Sequence, residues 1–456
     1  GALFLFIFGN NWNSHLIHSS FMNILVVSVF YFFLREFKIP KIYLIFYCLS
    51  FATLCYPVSG TPFAYLHSYI FSLVAIMFFI LALKNRNKLI WFLFPVICFL
   101  SFLSMQTPSA YILIILFFAI ILYFYRFQDW KSLKFFSLGC FFSMLFFFIF
   151  LFLTKTPYAN FLYQYILFPL TIGEGRISSD NSAYVSLLDQ MNLKRIFGDF
   201  KFIHILLFPL IFFSITSFKR DDKVINFLNI TFIFSIIAFL FNQLLTANQI
   251  YIFSLIPLMA AILHINFIKL DLNKKAILTI IFIVLFASTK FHYRYNIDRK
   301  FHDLENIDKS NALNANLIHQ NLKKLKWISK YDEPKDEVQV LKLAIEVIQK
   351  DIREKTVITH YQFLSTVLDE NLNILNRWYL WDNNTHPTEN HKYFNIYKDL
   401  VNKNIRSNKI KVIYLLGQEN EILFENIRNY FTDVCFKSTT LVKKRFSSHE
   451  IIKCKN

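Results

Sequence analysis

The sequence predicts a polytopic α-helical membrane protein, with about ten transmembrane helices and a C-terminal periplasmic α/β domain. Three observations predict it. Of 456 residues, 55% are hydrophobic and only 17% are charged, against about a quarter charged in soluble domains. Charge is also uneven: residues 1–288 hold 20 Lys/Arg and 9 Asp/Glu, whereas residues 289–456 hold 28 and 21. Finally, the basic residues of the first part recur in alternate loops. A break near Thr289 thus separates a transmembrane helical domain, 1–288, from a periplasmic α/β domain, 289–456.

A helix crosses ~30 Å of hydrocarbon with about 20 apolar residues. Suitable runs are Leu16–Leu34, Ile42–Pro57, Tyr65–Leu83, Leu89–Met105, Ser109–Tyr125, Leu133–Leu153, Phe202–Ser217, Val224–Leu245, Gln249–Ile268 and Ala276–Thr289. Lys and Arg are retained on the cytoplasmic side, so loop charge orients the chain. Arg35, Lys38 and Lys41 occupy one loop; Lys84, Arg86 and Lys88 another; Arg126, Lys131 and Lys134 a third. Lys219, Arg220 and Lys223, and then Lys269, Lys274 and Lys275, fill the last two. The intervening short loops, 58–64, 106–108 and 246–248, carry no charge. These uncharged loops, the long loop Thr154–Lys201 and the C-terminal domain are expected outside, in the periplasm of a bacterial inner (plasma) membrane. The net charge of +18 is then mainly a topology signal, and nucleic acid is not an expected partner. No Asp, Glu, Lys or Arg lies in the interior of the ten runs, Lys134 standing only at the second position of Leu133–Leu153. That argues against an ion-coupled transporter, which keeps charge at depth for function.

The outer ionisable groups of the first domain all fall in Thr154–Lys201. The acids are Glu174, Asp180, Asp189 and Asp199; the bases are Lys155, Arg176, Lys194, Arg195 and Lys201. Loops of this length are usually functional or disordered. Within it, Pro169–Arg176 combines Glu174, Arg176 and two glycines. Glycine lets backbone approach a ligand, and Arg offers a planar fork for phosphate. The same stretch also reads as a flexible loop with a local Glu–Arg pair. His67 stands at an outer helix start, either contacting a sugar or pyrophosphate or reaching water as an interfacial ring. Gln106-Thr107-Pro108 and Asn248-Gln249 are outer polar punctuation, as suited to capping as to ligand contact. His204 and His264 read as structural.

Cys48, Cys55, Cys98 and Cys140 lie on apolar helices as small hydrophobes. Cys435 and Cys454 lie in the external domain, where a disulfide is permitted. No CxxC, HExxH, P-loop or dinucleotide glycine motif is present, so neither a metal nor a cofactor is expected. In the external domain, Asn306–Ile328 and Glu337–Glu354 have helical periodicity. Strands are expected at Thr356–Thr359, Asn373–Leu380, Lys411–Leu416, Val434–Ser438, Leu441–Phe446 and Glu450–Cys454. Helices are expected at Tyr361–Leu368, Glu389–Asn404 and Glu421–Tyr430. His360-Tyr361-Gln362 ends a strand where open α/β sheets bind ligands, and Trp378, Tyr379 and Trp381 suit either sugar stacking or a core.

Certain local runs carry a family likeness. They are Gly60-Thr61-Pro62-Phe63 with His67-Ser68, Phe102-Leu103-Ser104-Met105-Gln106-Thr107-Pro108-Ser109, Asn248-Gln249-Ile250-Tyr251, and Leu325-Lys326-Trp327-Ile328. With the overall arrangement, the chain resembles the GT-C membrane glycosyltransferases, in particular bacterial relatives of protein mannosyltransferases and aminoarabinose transferases. The resemblance implies transfer of a sugar from a polyprenyl-phosphate donor to a periplasmic lipid, glycan or protein acceptor. Such transfer needs a carboxylate to deprotonate the acceptor and a cation to hold the leaving phosphate. The resemblance assigns Arg176 to the phosphate, Glu174 to support it, and then His67, Lys155 and Gln106 as binding residues. In the family the key acid lies in the first outer loop. Residues 1–13 resemble that loop's tail, lack Asp and Glu, and begin without Met, so the base is expected upstream of this chain. The alternatives are an O-antigen ligase or polymerase and a non-catalytic flippase or transporter.

Overall fold

The computed structural model describes residues 2–9, 11–59, 64–178, 187–218, 222–246, 252–272, 274–294, 307–329, 333–374, 387–418, 420–431 and 434–454. The chain divides into two compact units. One comprises Gly1–Ile7, Asn13–Phe161 and Gly173–Glu305; the other comprises Phe8–Trp12, Leu162–Ile172 and Asn306–Asn456.

The first unit is helical. Its elements begin with α1 (Ala2–Phe8), α2 (Trp12–Glu36), α3 (Lys41–Ser59), α4 (Ala64–Asn85), α5 (Lys88–Ser104), α6 (Gln106–Phe127) and α7 (Trp130–Leu153). There follow α8 (Tyr158–Phe161), α9 (Phe168–Ser178), α10 (Leu187–Gln190), α11 (Lys201–Phe218), α12 (Lys223–Thr246), α13 (Leu255–Leu270) and α14 (Lys274–His292). Nine of the ten predicted runs coincide with one of these helices, Met105 standing just past α5; the described part of the tenth, Gln249–Ile268, is a 3-10 turn (Ile252–Ser254) followed by α13. Among the described residues, seven apolar helical spans, one of them Ile252–Leu270, are long enough to cross a membrane, and three apolar helices are shorter.

Burial explains the lack of an amphipathic pattern. Helices α4 and α13 are enclosed on nearly all sides, so they are apolar all round. Helices α6 and α7 lie at the margin and expose Phe117, Phe118, Ile121, Leu122, Phe141, Phe142, Phe146 and Phe148. An apolar belt of that extent suits hydrocarbon rather than water. Caps set the ends: the Asn87 side chain accepts from Leu89 N–H at 2.8 Å, and Asp129 accepts from Ser132 N–H at 3.2 Å. Helix α7 meets α5 at Gly139, where an added Cβ would stand 2.2 Å from the Phe92 carbonyl oxygen.

The long loop predicted at Thr154–Lys201 differs from expectation. Much of Thr154–Lys201 is helical, with π-helical turns at Leu162–Leu167 and Lys194–Asp199 flanking α9 and α10. The boundary between the two units falls inside α9, between Ile172 and Gly173.

The second unit has a four-stranded sheet ordered β3 (Lys355–Thr359), β4 (Val412–Leu416), β6 (Phe446–Ile452) and β5 (Cys435–Val442). Strands β3 and β4 are parallel; β4/β6 and β6/β5 are antiparallel. Helices α15 (Pro334–Lys350), α16 (Leu364–Leu368), α17 (Phe394–Ser407) and α18 (Asn420–Arg428) flank the sheet. Alternation along β4 builds two cores. Val412, Tyr414 and Leu416 pack with Leu341, Ile345 and Leu364, whereas Ile413 and Leu415 pack with Val401, Leu423 and Ile427.

Two expectations are corrected. Asn306–Ile328 is not one helix: it forms short 3-10 turns and a ribbon pairing β1 (Leu313–Asn314) with β2 (Lys326–Trp327). Polar side chains there take local backbone groups, as Asp308 does in accepting from Ser310 N–H at 2.9 Å, in competition with helix formation. The three predicted C-terminal strands are the two arms of one hairpin, turning at Lys443–Arg445 with Lys444 at φ 60°. Four strands of the sheet lie among the described residues, and the predicted strand Asn373–Leu380 falls largely outside them. Cys435 and Cys454 form a disulfide beside the open end of the hairpin.

Candidate functional site

The helical unit has two chemically distinct ends. At one end the basic loops converge. Lys84 Nζ donates to the Glu36 carbonyl and lies 4.0 Å from the Phe37 ring centroid. Lys38, Asp222 and Lys269 lie within electrostatic reach of Lys84. Lys269 pairs with Asp222 at 3.0 Å, Arg86 lies in the field of Asp129, and Lys223 sits 5.3 Å from the Phe127 ring. All five predicted basic loops contribute a residue to these contacts. They close the C-terminal ends of α2, α4, α6 and α13 and the N-terminal end of α12.

The opposite termini of the same helices lie about 24–37 Å away at 1.5 Å per residue, and their chemistry is polar without charge. His18 of α2 and His67 of α4 approach with Nε2···Nε2 3.0 Å. Ser68 Oγ donates to the Met105 carbonyl at 3.0 Å, and Ser101 Oγ donates to the Ser68 carbonyl at 2.9 Å. Ser109 Oγ donates to the Met105 carbonyl at 2.6 Å. The Tyr65 hydroxyl accepts from Asn242 Nδ2 at 2.9 Å and from Gln243 Nε2 at 3.2 Å. Tyr69 and Ser254 share a hydrogen bond of 2.7 Å. Hydroxyl, amide and imidazole groups thus gather where apolar helices end. Buried polar groups need such partners, because an unmet one costs about 1–3 kcal/mol.

Two predicted residues fall in this region. His67 is half-buried in the first turn of α4, and Gln106 opens α6, its carbonyl accepting from Ser109 Oγ at 3.1 Å. Arg176 and Glu174 sit on α9, Arg176 half-buried and Glu174 exposed. Arg176 lies in the electrostatic neighbourhood of Tyr111, in the second turn of α6. The reading of Pro169–Arg176 as a flexible loop is corrected, because its residues belong to a helix. A Cβ at Gly173 would meet nothing within 4 Å, so that glycine does not serve a close approach to other atoms of the protein. Lys155 is exposed just past α7 with φ 53°. Thr156 N–H donates to the Leu151 carbonyl around it, a helix-terminating role.

His18 was not legible as a site residue. Its only sequence signal is the spacing His15-Leu16-Ile17-His18 at a helix start. Tyr65, Asn242 and Gln243 likewise read as ordinary helix-end residues. His264 is structural, sharing a 3.2 Å hydrogen bond with the Tyr47 hydroxyl; His204 is half-buried and stacks on Phe208.

In the second unit the predicted ligand end of β3 is engaged by the fold. Tyr361 OH donates to Glu337 Oε1 at 2.7 Å, Trp327 Nε1 donates to Glu337 Oε2 at 2.8 Å, and Gln362 Nε2 donates to the Thr359 carbonyl at 2.7 Å. Thr171, from the outer-loop segment, lies 3.0 Å from His391 Nε2. Hydrogen bonds from Arg353, joined by Tyr414 OH at 2.7 Å, hold Asp351 well below the usual carboxylate range. Burial pushes His449 down to about 4; its ring lies between Ser438 and Ser447 and stacks on Phe424. Asn248, Gln249, Gly60–Phe63, Trp378, Tyr379 and Trp381 fall outside the described residues.

Among the described residues, no group of three or more His, Cys, Asp or Glu stands at metal-holding spacing. No protein-family model, curated protein or solved structure matches this chain.

Proposed function

We propose that the chain is a membrane glycosyltransferase of GT-C type, moving a sugar from a polyprenyl-phosphate donor to an acceptor at the outer membrane surface. The observation that carries this reading is the segregation of charge along α2, α4, α6, α12 and α13, whose basic ends lie together while their opposite ends carry no charged side chain. By the tendency of Lys and Arg to stay cytoplasmic, the basic end faces the cytoplasm and the uncharged end faces outward, at the periplasmic side of a bacterial plasma membrane. A sugar presents hydroxyl groups, which suit the amide, hydroxyl and imidazole side chains of Tyr65, His67, Gln106 and Asn242. A polyprenyl tail suits the exposed apolar faces of α6 and α7. The leaving phosphate needs a cation that strengthens its hold as charge develops, and Arg176 supplies a fork of matching geometry. Glu174, two residues before it on α9, and Lys155, just past α7, are the other ionisable residues assigned to the site. The acceptor is a lipid, glycan or protein bearing a nucleophilic hydroxyl.

The test is a transfer assay in proteoliposomes supplied with a labelled polyprenyl-phosphate sugar and a lipid or glycan acceptor. The Arg176→Ala protein is expected to insert normally and to lose transfer by a factor of about 100 or more, as for other removed charge stabilisers. Unchanged transfer removes Arg176 from the site. Absence of any transfer from polyprenyl-phosphate sugars by the unaltered protein contradicts the function.

A further inference from the structure

We propose that His18 and His67, completed by His15, form a binding site for one divalent transition-metal ion of the zinc type at the uncharged end of the helical unit. The two imidazoles come from different helices, 49 residues apart, and direct Nε2 at Nε2 across 3.0 Å. Their rings are tilted by 46° with centroids 5.0 Å apart, so the two lone-pair directions converge rather than stack. Zinc–nitrogen bonds are about 2.0–2.1 Å, which sets two nitrogens of a tetrahedral ion about 3.3 Å apart. A separation a few tenths of an ångström wider than the present one therefore admits the ion.

The third ligand follows from the spacing His15-x-x-His18. Residues i and i+3 share a helix face, and two ligands spaced so on one helix can hold one ion. His15 already acts electrostatically on His18, as His67 does. Ligation by His15 requires its side chain to rotate toward the facing pair, because three ligands do not yet stand at metal spacing.

The surroundings fit a neutral-imidazole site. His18 is 3% exposed, and Phe4 packs edge-on against it at 5.1 Å with Phe21 behind. Such an apolar shell excludes water and holds ligating rings in place. Imidazole donors select zinc, copper or nickel over magnesium or calcium. The chemistry balances simply. In the neutral pair one of the facing nitrogens carries its ring's proton; as the ion takes both Nε2 lone pairs, that proton is exchanged through solvent to Nδ1 of the same ring, so both imidazoles stay neutral and no net proton is released. Three imidazoles leave a fourth position for water or an anionic oxygen. The inference stands whether or not the chain transfers sugars.

The experiment uses the tag-free full chain in detergent, stripped with chelator and titrated with Co²⁺ alone, then with Zn²⁺ in competition. One equivalent of Co²⁺ with the visible absorption of a tetrahedral site is expected, together with its displacement by Zn²⁺. His18→Ala and His67→Ala are each expected to weaken binding roughly 100-fold, in line with loss of a metal-holding group. His204→Ala, on α11, leaves it unchanged. Should His18→Ala fail to fold, His67→Gln and Zn²⁺ protection of the native histidines from diethyl pyrocarbonate give the same reading. Absence of a tetrahedral cobalt spectrum in the unaltered protein, or equal binding by the His18→Ala/His67→Ala double variant, overturns the site.

Discussion

The side-chain amide of Asn242 donates to the Tyr65 hydroxyl at 2.9 Å, joining the end of α12 to the start of α4 across 177 residues. Both residues are buried, and the same hydroxyl accepts from Gln243. Tyr65→Phe keeps the ring and removes the acceptor from two amides. It is expected to cost about 2 kcal/mol, the scale of a buried donor losing its partner. Thermal unfolding in detergent reads this as a lowered midpoint; an unchanged midpoint removes the node from the packing of the uncharged end.

Helices α5 and α7 touch through Gly139. A methyl group there collides with the Phe92 carbonyl and with Pro95 Cγ, at 2.2 and 2.5 Å. Backbone cannot give way as a flexible side chain can, so Gly139→Ala is expected to destabilise the unit by about 1–3 kcal/mol, the usual cost of overpacking. Gly139→Leu should abolish stable insertion. Detergent-resistant folding at native yield by both variants contradicts the close approach.

The four-stranded sheet of the second unit carries a pH response at His449. Its folded-state pKa of about 4 lies below the 6.5 of a free imidazole. The unfolded chain therefore binds a proton through the interval 6.5 to 4 that the folded chain refuses, and stability falls as pH drops across it. The contribution is fully present above 6.5 and is about 2 kcal/mol after allowance for partial solvent access. Hydrogen exchange of β6 amides at pH 7, 5.5 and 4 measures it, and His449→Phe should flatten the dependence. A flat profile in the unaltered protein would remove burial as the cause.

The Cys435–Cys454 bond closes a loop across 19 positions. In the chain-entropy account, such a loop is worth about 3 kcal/mol. Cys435→Ser/Cys454→Ser is expected to lose that stability in chemical unfolding of the sheet, with no effect on insertion of the helical unit. Equal unfolding midpoints in reducing and oxidising buffer would show the bond absent.

Hydropathy and loop charge located the helices because burial in hydrocarbon leaves few alternatives for an apolar run. The same reasoning fails where tertiary packing overrides propensity. Helix α9 contains Pro169, Gly173 and Gly175, which argue for a loop, yet it is helical through Arg176. In Asn306–Ile328 the apolar periodicity was real, but side chains such as Asp308 competed for the backbone. Thr439 and Thr440 favour an unbroken strand, and the turn fell at Lys444 instead. Of the site, His67 and Gln106 were legible as polar residues at outer helix starts. His18 was not, since its meaning depends on α2 lying beside α4, a neighbour relation that periodicity does not encode.

On the proposed reading, the uncharged ends of α2, α4, α6, α12 and α13 form the outer, working end of the helical unit. Impermeant maleimide labelling of intact spheroplasts tests it most directly, comparing Gln106→Cys with Lys88→Cys against the unaltered protein as background. The expected result is labelling of Gln106→Cys in intact cells and of Lys88→Cys only after permeabilisation. Labelling of Lys88→Cys in intact cells, with Gln106→Cys protected, would reverse the orientation and contradict the account.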